Sequence, residues 1–140
     1  MKKRILAASL MLICFTVFGQ LSKSETIYDK NDNIISRNIR TNYEGKQDTS
    51  YICLFRNKKY QYVSDWFSFS IDKKRMITFL DTCYKLLKNY PVNTSISYEI
   101  NDDLIMIENK KNYVFMVFDG GYFTLNYKEL ELMKSAMRKE

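Results

Sequence analysis

Between Asp72 and Pro91 the apolar residues Met76, Phe79, Leu80, Cys83, Leu86, Leu87 and Tyr90 recur at intervals of three and four. That spacing marks one face of an α-helix. Ser70 or Asp72 offers a capping oxygen at its start, and Pro91 ends it because the proline ring clashes with a continued helix. A second helix is predicted over 127–139, with Leu130, Met133 and Met137 on one face. Asn126 stands three residues before Glu129, a capping box with asparagine as the cap. Leu125 and Leu130 occupy the hydrophobic positions that bracket it.

Elsewhere the period is two. Ile96, Tyr98 and Ile100 alternate with Ser95, Ser97 and Glu99, the pattern of a half-buried strand. Turns at Asn101-Asp102-Asp103, at 109–112 and at Asp119-Gly120-Gly121 separate further strands over 104–108, 113–118 and 122–125. The segment 113–118 is apolar on both faces, as a central strand is. Before the first helix, Thr26-Ile27-Tyr28 and 33–39 read as short strands around a turn at 29–32, after a frayed start at 20–24. A loop is expected over 40–48. Strands over 49–56 and 60–71 are then joined by the apparent hairpin turn Asn57-Lys58-Lys59.

Strands, helix, strands, helix is the resulting order. Runs of strands linked by tight turns make antiparallel sheet, so the expected class is α+β. It consists of strand meanders with one mid-chain and one C-terminal helix. No repeat of 20–50 residues and no internal linker interrupts the chain, which reads as a single domain over 20–140.

The first 19 residues read as an address. Lys2, Lys3 and Arg4 precede 14 uncharged, mostly apolar residues from Ile5 to Phe18. A spanning helix needs about 20 apolar residues, whereas the apolar part of a secretory signal runs roughly 7 to 15. Val17 and Gly19 are small enough for signal peptidase, giving a mature chain that starts at Gln20. An uncleaved anchor is the main rival. Cys14 follows Met11-Leu12-Ile13, too bulky for a lipoprotein signal. The expectation is export to a secreted or periplasmic location, with no stable membrane insertion once the signal is removed.

Charge adds little. The chain carries 22 basic and 16 acidic residues. Without Lys2, Lys3 and Arg4 the balance is nineteen to sixteen, or +3, too little to indicate nucleic acid. The runs 56–59 and 73–75 are short and separate, and a solvated turn and a solvated first helical turn account for them. Aromatic residues make up 15% of the chain, with eleven tyrosines and nine phenylalanines against one proline. Such a composition suits strands.

There is no histidine. Ser-His and Cys-His nucleophile pairs, imidazole acid-base catalysis and histidine metal sites are therefore excluded. Asp29-Lys30-Asn31-Asp32-Asn33 starts like a calcium loop, but Ile34 replaces the turning glycine and Arg40 the bidentate glutamate. A hairpin is the simpler reading. Ser70-Ile71-Asp72-Lys73 matches S-x-x-K without its companion motifs, and helix capping explains it. Asp119-Gly120 between apolar strands is a strong hairpin signal before it is a catalytic loop. Asp102 and Asp103 are adjacent carboxylates whose side chains diverge in an extended segment, and a turn is the simpler account. Asp65, inside an apolar stretch, is the one carboxylate whose burial could raise its pKa; an edge position or a hydrogen-bonded strand residue is the favoured reading. No cofactor motif is present.

Cys53 and Cys83 remain after the signal. Two thiols without histidine cannot make a four-coordinate zinc site, and export implies an oxidising compartment. If the face Tyr51-Cys53-Phe55 turns to the helix, a strand-to-helix disulfide is geometrically accessible. Free core thiols are the other reading, and both stand open. On the strand over 60–71, Tyr60, Tyr62 and Trp66 share one face while Val63, Phe67, Phe69 and Ile71 share the other. The second set reads as core. The first is either core or, if both helices cover one side, an open binding face.

The functional expectation is an exported, non-catalytic binding protein for a protein or cell-envelope component. A small carboxylate-dependent hydrolase using residues such as Asp65 is the first alternative, and a structural envelope protein the second.

Overall fold

The computed structural model describes residues 21–59 and 65–139. The proposed signal segment, Tyr60 and Tyr62 lie outside the described residues. The chain forms β1 (Leu21–Lys30), β2 (Asn33–Thr41), β3 (Gln47–Arg56), β4 (Trp66–Ile71) and helix α1 (Lys73–Asn89). There follow β5 (Ser95–Ile100), β6 (Asp103–Asn109), β7 (Tyr113–Phe118), β8 (Gly121–Asn126) and helix α2 (Tyr127–Lys139). Two antiparallel sheets result, ordered β1-β2-β3-β4 and β5-β6-β7-β8. The fold is α+β. Four strands and a helix, twice over, is a repeat of architecture that no sequence similarity announces.

Local chemistry sets the boundaries. Asp72 caps α1 by accepting the amide of Arg75 at 2.8 Å. Asn126 and Glu129 cap α2 reciprocally, through bonds of 2.9 and 2.8 Å. Two-residue turns with left-handed backbone close β1-β2 at Asn31-Asp32 and β5-β6 at Asn101-Asp102. These are the residue types that tolerate such φ values. At Asp119-Gly120 only the glycine is left-handed, with φ of 92°.

Both helices cover the inner faces of the sheets. Helix α1 touches β3, β6 and β7, while α2 touches α1, β1 and β8. The stripe Met76, Phe79, Leu80, Cys83 and Leu86 is buried as its spacing requires. The sheets meet along a phenylalanine seam: the Phe55 and Phe123 rings stack at 4.7 Å, and those of Phe67 and Phe118 lie 4.3 Å apart. Among the described residues no helix is long and apolar enough to cross a membrane.

Four expectations need correction. The segment expected to be frayed over 20–24 is strand from Leu21 onwards. Strand β1 pairs with β2 from Leu21, opposite Thr41, to Lys30, opposite Asn33, interrupted only by a bulge at Ile27, and Arg37 holds Glu25 at 2.7 Å. The loop expected over 40–48 shrinks to 42–46, because the Asn42 side chain accepts the amides of Glu44 and Lys46. Asn57-Lys58-Lys59 is not a tight hairpin turn, since Arg56 pairs with Trp66 and leaves 57–65 as the connection. Tyr90 sits outside the buried stripe, exposed at the C-cap where Pro91 stops the helix.

Candidate functional site

The connection 57–65 is where the two sheets are tied. Asn57 is fully buried. Its Nδ2 donates to Asp65 Oδ2 at 2.9 Å and to the Gly120 carbonyl at 3.4 Å. Its Oδ1 accepts the amides of Lys59 and Tyr122 at 3.0 and 3.2 Å. Beside it the Lys58 amide donates to the Tyr122 carbonyl at 2.8 Å, which occupies part of the outer edge of β8. One asparagine thus fixes the end of β3, the start of β4 and the β7-β8 turn.

That tie frames a groove of about 400 Å³ whose lining includes Asp65, Trp66, Leu104, Asp103, Phe118 and Asp119. Strand alternation explains its apolar floor. Phe67, Phe69 and Ile71 point into the core, so Trp66, Ser68 and Ser70 point out. Trp66 is 37% exposed and Leu104 67% exposed, and Met106, two residues on from Leu104, is 46% exposed. All three carboxylates of the lining are exposed, and among the described residues no lysine or arginine lines the groove. Aromatic and aliphatic surface rimmed by negative charge is suited to a cation carried next to an apolar side chain.

Asp65 is therefore not a buried strand carboxylate. It precedes β4, lies in solvent, and its carboxylate is engaged by Asn57. For Asp103, as a neighbour of Asp102, and for Asp119, in a loop before Gly120, the sequence favours ordinary turn chemistry over a functional role. Only the approach of the two sheets brings them to Trp66.

The remaining candidates fall apart spatially. Asp32 of the calcium-like stretch pairs with Arg56 at 2.6 Å, and Asn31 donates to Glu129 at 2.8 Å. Ser70 is the next-to-last residue of β4, and its carbonyl accepts from Asn101. The basic run at 56–59 is partly spent on Asp32 and on Thr124, whose hydroxyl accepts from Lys58 Nζ at 2.6 Å. Among the described residues no three cysteines or carboxylates are grouped to hold a metal ion.

The face Tyr51-Cys53-Phe55 does turn to the helix, and all three residues are buried. Cys53 and Cys83 are nevertheless both free thiols. Cys53 Sγ faces Met76 Sδ at 3.6 Å, and Cys83 lies seven residues further along α1, about 10 Å along the axis. Burial pushes both thiols well above the ordinary range, so neither is an activated nucleophile. Comparison of the chain with protein-family models, curated proteins and solved structures finds no match.

Proposed function

We propose that this chain is an exported, non-catalytic binding protein whose Trp66 groove receives a lysine- or arginine-bearing segment of a protein or envelope component. The observation that carries this reading is the groove itself. A half-exposed indole and Leu104 form an apolar floor under three solvent-facing carboxylates. Tryptophan is the preferred ring for a cation above its face, and tryptophan anchors are enriched at binding interfaces. Export is supported by the short apolar N-terminal stretch and by Val17 and Gly19 at the cut. Protein recovered outside the cytoplasm should then have the mass of a chain beginning at Gln20.

The carboxylate-dependent hydrolase is the weaker reading. Asp65 does share a groove with two further carboxylates, as such an enzyme needs. However, acid catalysis calls for one carboxyl shielded from water, and all three are open to it.

The test is capture from an envelope fraction with the protein and with a triple variant, Asp65→Asn, Asp103→Asn and Asp119→Asn. A basic partner should be retained by the first and lost by the second, and raising the salt should mimic the variant. Equal capture by both proteins would reject the groove as the binding surface.

A further inference from the structure

Strand β1 is the far edge of its sheet, three strands from Trp66, and no strand covers its outer side among the described residues. A ten-residue edge leaves a row of backbone donors and acceptors, the complement of another extended chain. Helix α2 runs alongside. Between them lie two adjoining depressions of about 350 and 220 Å³ that share Tyr28, Lys30 and Leu132. The first lies beside Lys139 and the second beside Asn126, so the groove follows the helix from end to end.

Its chemistry is graded. Ile27, Leu132 and Ala136 supply apolar surface in the larger depression. Ile27 lies at a β-bulge, unpaired with β2, which frees it from the ladder. Tyr28 beneath is only 6% exposed, and its hydroxyl has no hydrogen-bond partner among the described residues. Charge leans modestly one way. Lys30, Lys128 and Lys139 line the two depressions with Glu25, Asp29 and Glu129; Arg37 pairs with Glu25, which leaves three lysines against two carboxylates, and Glu129 is held by the neutral Asn31 side chain and the Asn126 amide.

We infer that the β1-α2 groove binds an extended peptide segment of a partner protein. The segment adds a strand to β1, sets apolar side chains over Ile27, Leu132 and Ala136, and presents an acidic residue to Lys30 and Lys128. Edge-strand addition beside a helix is an established mode of peptide capture, in which the main chain gives affinity and alternate side chains give selectivity. The inference is independent of the Trp66 groove, which lies at the opposite edge of the sheet.

The test uses capped synthetic octapeptides that alternate valine and threonine and carry glutamate at both ends, titrated against the protein. Binding is expected. N-methylation of alternate peptide amides, which removes the donors but keeps every side chain, should weaken it at least tenfold. Trp66→Ala should leave it unchanged. The exposed pair Lys30→Glu and Lys128→Glu should reverse the preference, so that lysine-ended peptides bind better than glutamate-ended ones. Equal binding of the N-methylated peptide, or no binding of any octapeptide, overturns the inference. So does a protein dimer that dissociates on adding the peptide, because a second copy would then be the occupant of β1.

Discussion

The side chain of Asn57 lies directly against the bare Cα of Gly121. A methyl group there would stand 2.2 Å from both Asn57 Nδ2 and Oδ1. Gly121 has no left-handed backbone to protect, so its constraint is contact alone. Asn57 cannot withdraw without giving up its bonds to Asp65, Lys59 and Tyr122. Gly121→Ala should cost about 1–3 kcal/mol, the usual range for overpacking a tight site. Urea unfolding should show a lower midpoint at an unchanged slope, and a wild-type midpoint would contradict the contact.

Asn57→Ala removes the tie from the other side. It strands the Tyr122 amide and opens the junction between β3 and β8. Leaving buried groups unsatisfied costs about 1–3 kcal/mol, so this variant should also unfold at lower urea. The two substitutions share one contact and should not add. Asn57→Ala makes room for the alanine at 121, so the double variant should lose less than the sum of the singles. Strict additivity would mean that the residues do not touch.

How far such features were legible depends on whether their cause is local. The stripe from Met76 to Leu86 and the reciprocal cap of Asn126 and Glu129 are written within one turn or a few turns of chain, and the structure reproduces both. The first half of β1 is not of that kind. Ser22, Lys23, Ser24 and Glu25 are exposed, and what makes them a strand is the ladder to residues 37–40. Likewise, alternation over 60–71 does not announce that Arg56 pairs with Trp66, nor that the Asn57 side chain and the Lys58 amide reach β8, a partner more than sixty residues away. The groove shares that difficulty. Trp66 was a visible candidate, but Asp103 and Asp119 join it only through the packing of two turns.

The two buried thiols imply a pH dependence. In the unfolded chain a cysteine ionises at about pH 8.5, whereas burial holds Cys53 and Cys83 neutral well above that. Above pH 8.5 the folded protein therefore binds more protons than the unfolded one. Their contribution is complete below that pH and is lost as pH rises, by about 1.4 kcal/mol per pH unit for each thiol. Tyr28, pushed up to about 12 by burial and then by the Glu129 charge, adds to the loss once pH exceeds about 10. Urea midpoints between pH 7 and 10 should fall, and should fall less for a Cys53→Ala, Cys83→Ala variant. In unreduced, unfolded protein, mass spectrometry should find both residues alkylated. A flat profile with neither alkylated would establish a disulfide instead.

Trp66 and Phe67 are neighbours in sequence with opposite burdens, and the contrast tests the binding face. The Phe67 ring is 9% exposed and lies 4.3 Å from Phe118 and 5.6 Å from Phe123 in the seam between the sheets. Truncating it to alanine should cost about 3–5 kcal/mol, as large-to-small core changes do. The indole of Trp66, the only tryptophan, faces the groove. Its fluorescence should be partly quenched by acrylamide and by iodide. Trp66→Ala should cost well under the core value, since a half-exposed ring has less buried area to lose. If the groove is a binding surface, the same variant should lose partner capture while keeping its fold, because anchors contribute more to the complex than to the free protein. An unquenched tryptophan whose truncation destabilises as severely as Phe67→Ala would make Trp66 a core residue and end the case for the groove.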